Sequence, residues 1–236
     1  DAFTAASRYY ADFMLKRLRI PEERMHVVYP GIDADAYAPS PLPFDPPVIG
    51  YLSRLSESLG FDILLEAFIR LKQEKRFQNL RLRATGGKTA DDTEFLQQQE
   101  RKLETYGVRG DVDFITDLSR TARLEFLRSL TVLSVPVPAG EAFGMFQIEA
   151  MATGVPVVQP DAGAFREIVD ATGGGIIYSP NTPDRLAAAL SSTLSDPDKV
   201  RQLGNHGRNS VRKSFSVATA AGRMMDVYKT AAETPS

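Results

Sequence analysis

The chain has 236 residues, 43% of them hydrophobic, and carries a formal net charge of −2, so a core of ordinary size is available without staples. The absence of cysteine excludes disulfides and thiol chemistry, and the presence of only His26 and His206 excludes a multi-histidine metal site. The near-balanced charge argues against wholesale binding of nucleic acid or of an anionic membrane.

Residues 7–18 place Tyr10, Phe13, Met14 and Leu18 at i, i+3, i+4 and i+8, which predicts a helix with one apolar stripe. Met25 to Tyr29 reads as a short strand, with His26 as a structural residue within it. The run Ser40-Pro-Leu-Pro-Phe-Asp-Pro-Pro47 predicts a stiff, non-helical linker. From Val48 onward strands and helices alternate. Strands are expected at 48–52, 80–85, 112–115, 132–137, 156–159 and 175–178. Helices are expected at 61–72, 92–106, 121–130, 144–152, 164–169 and 183–194, with two more at 198–215 and 217–230. Repeated strand–helix units imply an α/β fold: a Rossmann-like, doubly wound parallel sheet covered on both faces. Two domains are expected to share the chain: residues 1–47 as the end of a preceding domain and its linker, and 48–236 as a ligand-binding domain with extra C-terminal helices. No apolar run reaches the length of a membrane span and no signal-peptide pattern opens the chain, so a soluble, cytoplasmic protein is expected.

The most informative stretch is Glu141-Ala-Phe-Gly144-Met-Phe-Gln-Ile-Glu149, followed by Ala-Met-Ala-Thr-Gly154-Val-Pro156. An apolar strand precedes it, so the stretch reads as a strand–loop–helix junction. The start of a helix offers unpaired N–H groups and partial positive charge, a seat for phosphate. A carboxylate placed beside such a seat makes chemical sense when the anion also brings hydroxyls, as a nucleotide sugar does. Glu149 is the first candidate, since a carboxylate accepts two hydrogen bonds from a vicinal diol. Its bland alternative is a solvated helix glutamate. Glu141, at the mouth of the loop, is the second candidate, against the alternative of an ordinary loop acid. Gly86-Gly87-Lys88-Thr89 follows a strand but is no P-loop, because Leu82 stands where that motif needs glycine. Thr172-Gly-Gly-Gly-Ile reads as a flexible connector, and Glu167 as a helix cap or structural partner.

The chain resembles the retaining glycosyltransferases of family 4, which have the GT-B fold. The resemblance rests on the paired glutamates together with three further motifs in the family's order. These are Val27-Val-Tyr-Pro-Gly-Ile-Asp33, Ser53-Arg54-Leu55-Ser-Glu-Ser-Leu59-Gly60-Phe-Asp, and Asp161-Ala-Gly-Ala-Phe-Arg-Glu167-Ile-Val. It implies the C-terminal, donor-binding domain of a hexosyltransferase. Glu141 would be catalytic, approaching the donor sugar. Glu149 would hold the ribose, and backbone N–H groups of Phe143, Gly144 and Met145 would meet the diphosphate and sugar. Arg54 would pair with the diphosphate, and Thr116 would line the base pocket. The family carries a lysine five residues after that arginine; here Leu59 stands in its place, and Lys88 is one candidate to supply the missing charge. No metal and no cofactor are expected, the nucleotide-diphosphate sugar being a substrate. An N-terminal acceptor domain is the expected partner, so the chain alone should bind nucleotide and transfer poorly. The rivals are a non-catalytic binding module that kept the fold, and a nucleotide-sugar epimerase on the same fold.

Overall fold

The computed structural model describes residues 2–233. Two short strands, β1 (Phe3–Ala5) and β2 (Met25–Val27), pair in parallel and bracket helix α1 (Arg8–Leu18). Strand β1 was not expected from the sequence, because three residues are too few to show a period. Ser7 starts α1, its hydroxyl accepting from the Tyr10 N–H at 3.0 Å, as serine commonly does at a helix start.

The main sheet has six parallel strands: β3 (Val48–Leu52), β4 (Arg81–Thr85), β5 (Val112–Ile115), β6 (Val132–Leu133), β7 (Val157–Pro160) and β8 (Gly175–Tyr178). Its order is β5-β4-β3-β6-β7-β8. The chain winds outward from β3 to β5, then returns to the middle at β6 and winds the other way. The expected doubly wound sheet is therefore present, and its direction reverses between β3 and β6. In such sheets the ligand crevice opens at that reversal, beyond the C-terminal ends of the strands. All of β3 and β7 is buried, as a central parallel strand covered on both faces must be.

The helices α2 (Phe61–Lys72), α3 (Thr93–Thr105), α4 (Arg120–Arg128), α5 (Met145–Ala152), α6 (Phe165–Thr172), α7 (Pro183–Leu194), α8 (Pro197–Ser214) and α9 (Val217–Glu233) fall within a few residues of expectation. The stripe read in α2 is real: Phe61, Leu64, Leu65, Phe68 and Leu71 are all buried. The largest departure is β6, expected to run to Val137 and ending at Leu133. Pro136 has no N–H for a ladder, and the Val135 N–H donates instead to the side chain of buried Gln159, at 3.1 Å. The chain leaves the sheet there to form the loop that carries Glu141.

Several contacts join the first 47 residues to the rest. The Ile32 N–H donates to the Phe215 carbonyl at 2.9 Å, and Ile32 bridges to Ser216. The Tyr29 ring packs against Phe143 and Phe215, with centroids at 6.2 and 5.5 Å. The apolar stripe of α1 is only partly covered, with Tyr10 and Met14 half-buried. Ala11 is the buried residue of the helix, while Phe13 and Leu18 face solvent. The helix is held through its N-terminus and not through its stripe. Among the described residues no helix is long and apolar enough to cross a membrane.

Candidate functional site

The loops after β3, β4, β5, β6 and β7 converge at the C-terminal edge of the sheet. Backbone contact between loops sets their spacing. Gly86, at φ +153°, lies so close to the first loop that a Cβ there would overlap the Ser53 carbonyl oxygen. Gly140 and Gly163 pack main chain on main chain, and a Cβ on Gly163 would stand 2.5 Å from the Glu141 nitrogen. The Ala164 N–H then donates to the Glu141 carbonyl at 3.0 Å.

Two cavities open along this edge. The smaller, about 220 Å³, is lined by the first two loops with Asp117, Leu118 and two arginines, Arg54 and Arg123. The larger, about 560 Å³, shares Gly86, Gly87 and Leu118 with it and is faced by the apolar Leu55, Leu96, Phe114 and Ile115. Lys88 and Thr116 line the larger cavity and not the smaller. Among the described residues Lys88 makes no ion pair.

Glu149 lies on α5 with only 8% of its surface exposed. It is not a solvated helix glutamate. Arg123 grips its carboxylate with two N–H groups, Nε donating to Oε1 at 3.0 Å and Nη2 donating to Oε2. The Tyr37 hydroxyl donates to the same Oε1 at 3.1 Å. Burial, then the negative charge of Glu149, pushes the Tyr37 phenol up to about 12. Arg123 reaches Glu149 from the first turn of α4. Ser119 starts that helix by accepting from the Ala122 N–H at 3.2 Å, and Asp117 in turn accepts from the Ser119 N–H at 2.8 Å. Neither Arg123 nor Tyr37 was singled out from the sequence. The one available signal was a cation in the first turn of a helix that follows a parallel strand, and hence at the ligand edge.

Glu141 is half-buried, and among the described residues its carboxylate has no hydrogen bond or ion pair. Burial alone raises its pKa above the usual carboxylate value. The Phe143 side chain belongs to the core, packed on Tyr29 and Phe215, so only its backbone is available to a ligand. Its carbonyl already accepts from the Gln147 amide at 3.1 Å. Gly144 is buried ahead of α5, and Met145 opens the helix with its side chain exposed. None of Glu141, Phe143, Gly144, Met145 and Glu149 lines either cavity. Glu149 meets the smaller one through Arg123.

Arg54 is held loosely, its Nε 3.8 Å from Asp92 and its Nη2 donating to Ser58 Oγ at 3.2 Å. Asp92 itself caps the next loop by accepting from the Thr89 N–H at 2.7 Å. Leu59 packs against the core and offers no charge to this edge. Glu167 is the structural partner expected of it. It accepts from the N–H groups of Arg8 and Tyr9 at 2.9 and 3.1 Å and from the Tyr29 hydroxyl at 2.6 Å, tying α1 to the site wall. Ser7 adds a second tie, donating to the Ala142 carbonyl at 2.6 Å.

Residues 35–210 match the family described as Glycosyl transferases group 1. The chain belongs to that family. It is 29% identical over 243 residues to a D-inositol 3-phosphate glycosyltransferase of Xylanimonas cellulosilytica, covering 97% of this chain and 56% of that protein. It is 28% identical over 234 residues to an MMP alpha-(1->4)-mannosyltransferase of Mycolicibacterium hassiacum, covering 98% and 54%. The Anabaena protein HepE, solved in complex with UDP, superposes with a TM-score of 0.87 at 20% identity, over 97% of this chain and 64% of that one. That likeness shows the fold. The chain spans little more than half the length of the curated relatives it matches.

Proposed function

We propose that this chain is the donor-binding portion of a retaining hexosyltransferase that takes sugar from a nucleoside diphosphate sugar. The observation that carries the reading is Glu149. A buried carboxylate at the reversal point of a doubly wound sheet opens, through Arg123, onto an arginine-lined cavity with an apolar-walled cavity alongside. The larger cavity suits a nucleobase between Leu118 and the walls of Leu96 and Phe114, with Thr116 at its rim. Glu149 suits the ribose diol. Arg54 and the first N–H groups of α5 at Gly144 and Met145 suit the diphosphate.

Glu141 is the candidate for the reacting end. Retaining transfer builds positive charge at the anomeric carbon, and a carboxylate with no protein partner is free to orient sugar hydroxyls or to stabilise that charge. Residues 1–47 are read as the end of a second, acceptor-binding domain and its linker, which agrees with the share of its relatives that the chain spans. In this reading the protein's own cations face the leaving diphosphate and no metal is required, so EDTA leaves nucleotide binding unchanged.

Calorimetry with UDP, GDP and ADP and their hexose derivatives tests the reading. One nucleotide series binds, and the chain alone shows little or no transfer or hydrolysis. Efficient turnover by the chain alone overturns the two-domain part of the reading, and no binding at millimolar concentration overturns all of it. Leu59 favours one rival. A leucine packed on the core leaves the edge one cation poorer than the resemblance implies, as a binding module that has lost catalysis would be. That rival, a non-catalytic binding or interaction module, predicts no transfer even when the acceptor domain is supplied, and absence of binding by any nucleotide sugar favours it.

A further inference from the structure

Resting on the reading that Glu149 takes a ribose diol, we infer that Arg123 is a diphosphate-binding residue held in reserve on Glu149 and released by the nucleoside. The first step is a count of acceptor sites. A carboxylate offers about four lone-pair sites, two on each oxygen. On Glu149, Oε1 is used twice, by Arg123 Nε and by the Tyr37 hydroxyl, and Oε2 once, by Arg123 Nη2. A diol that donates to both oxygens needs an open site on each. Oε1 has none. Diol binding therefore displaces Arg123 or Tyr37.

Mobility decides between them. Tyr37 is half-buried, packed against the main core. The Arg123 side chain is 42% exposed, at the head of a long flexible stem that already borders the smaller cavity. Arg123 is the group that leaves. The cavity it borders also holds Arg54, beside the close backbone of Gly86 and Gly87. A guanidinium swung into that space pairs in bidentate fashion with phosphate oxygens, which its planar fork fits. The exchange leaves neither group without a hydrogen-bond partner. Glu149 passes from the guanidinium to the diol hydroxyls while keeping Tyr37, and Arg123 passes from carboxylate to phosphate. A nucleoside without phosphates displaces Arg123 and gives it no new partner, so it binds at a penalty. The diphosphate removes that penalty, and the two halves of the ligand bind cooperatively.

The experiment measures binding of UDP, GDP and ADP, their nucleosides, and inorganic pyrophosphate to the wild-type chain, R123Q and E149Q. For the nucleotide that binds, R123Q weakens the diphosphate roughly tenfold or more, the usual scale for a charge-assisted contact, and leaves the nucleoside equal or tighter. E149Q, which keeps its shape, weakens the nucleoside. The same variant binds pyrophosphate severalfold more tightly than wild type, because its Arg123 is already free. R123Q weakening nucleoside and diphosphate equally overturns the inference, since Arg123 then only orients Glu149. Unchanged binding in R123Q, or pyrophosphate affinity indifferent to E149Q, overturns it as well. If R123Q does not fold, the pyrophosphate comparison between wild type and E149Q decides alone. A wild-type chain that binds none of the nucleotides overturns the donor-binding reading and this inference together. Nucleotide binding by wild type with no shift in the variants overturns this inference only.

Discussion

The two walls of the crevice are built differently. The wall made by the loops after β6 and β7 is main chain packed on main chain at Gly140 and Gly163, backed by the rings of Tyr29, Phe143 and Phe215. Helix α1 is tied to its outside by Ser7 and Glu167. The wall made by the loops after β3, β4 and β5 has its own close backbone contact, Gly86 on Ser53, but it presents Arg54, Lys88 and Arg123 on flexible stems. One wall carries the two glutamates on closely packed backbone, and the other supplies cations on long side chains, one of which reaches across to Glu149. The difference suits a ligand that brings hydroxyls to one side and a highly charged diphosphate to the other.

The contrast in rigidity is broken most directly at its glycines. G140A, with φ at +69° and a Cβ that overlaps the Gly163 backbone, should cost about 3 kcal/mol of stability. G87A, which meets nothing within 4 Å, should stay within about 0.5 kcal/mol of wild type. Denaturant melts of the two compare a packed glycine of one wall with an open glycine of the other, and equal costs would show that the Gly140–Gly163 contact does not stiffen the β6–β7 wall.

The next effect is on binding. E149A should weaken nucleotide binding roughly tenfold to a hundredfold and cost about 1 kcal/mol of stability, because the Arg123 it releases can turn to solvent while Tyr37 loses its acceptor. A large loss of stability with intact binding would make Glu149 a structural anchor and erase the distinction between the walls.

A smaller effect is expected where α1 is tied on. E167A removes the acceptor for two first-turn N–H groups and for Tyr29, which should cost about 1 kcal/mol. Trypsin should then cut sooner at Lys16 and Arg17, with the sheet domain left intact. Unchanged cutting would mean that the strand pair β1–β2 holds the segment by itself.

The smallest effect sharpens the contrast between the two carboxylates. Burial raises the pKa of Glu141 in the folded state, so the folded protein binds this proton more readily than the unfolded chain does. Stability from this group is then greatest at low pH and falls as pH rises through the unfolded and then the folded pKa. E141Q should therefore melt slightly higher than wild type at pH 7, and the gain should vanish once pH drops below both values. A gain that persists at low pH would give Glu141 a role other than an unpaired, desolvated acid.

The sequence by itself determined the fold class and most of the element bounds. Apolar periodicity and turn residues are local signals, and the strands at 48–52 and 175–178 and the helices at 61–72 and 183–194 could be read directly from them. It also pointed to the paired glutamates, through their resemblance to a family motif placed at a strand–loop–helix junction. The tertiary structure alone decided what those residues touch. Arg123 stands 26 residues from Glu149 and Tyr37 stands 112 residues away, separations over which no period or cap carries information. β6 stops early because Gln159, on the neighbouring strand, takes the Val135 N–H. The sequence marked the α1 stripe but not its anchor, since the helix is held at its tip by a glutamate 158 residues further along. Local chemistry sets which shapes each segment can take; partners brought from far along the chain set which charges are answered and which are left for a ligand.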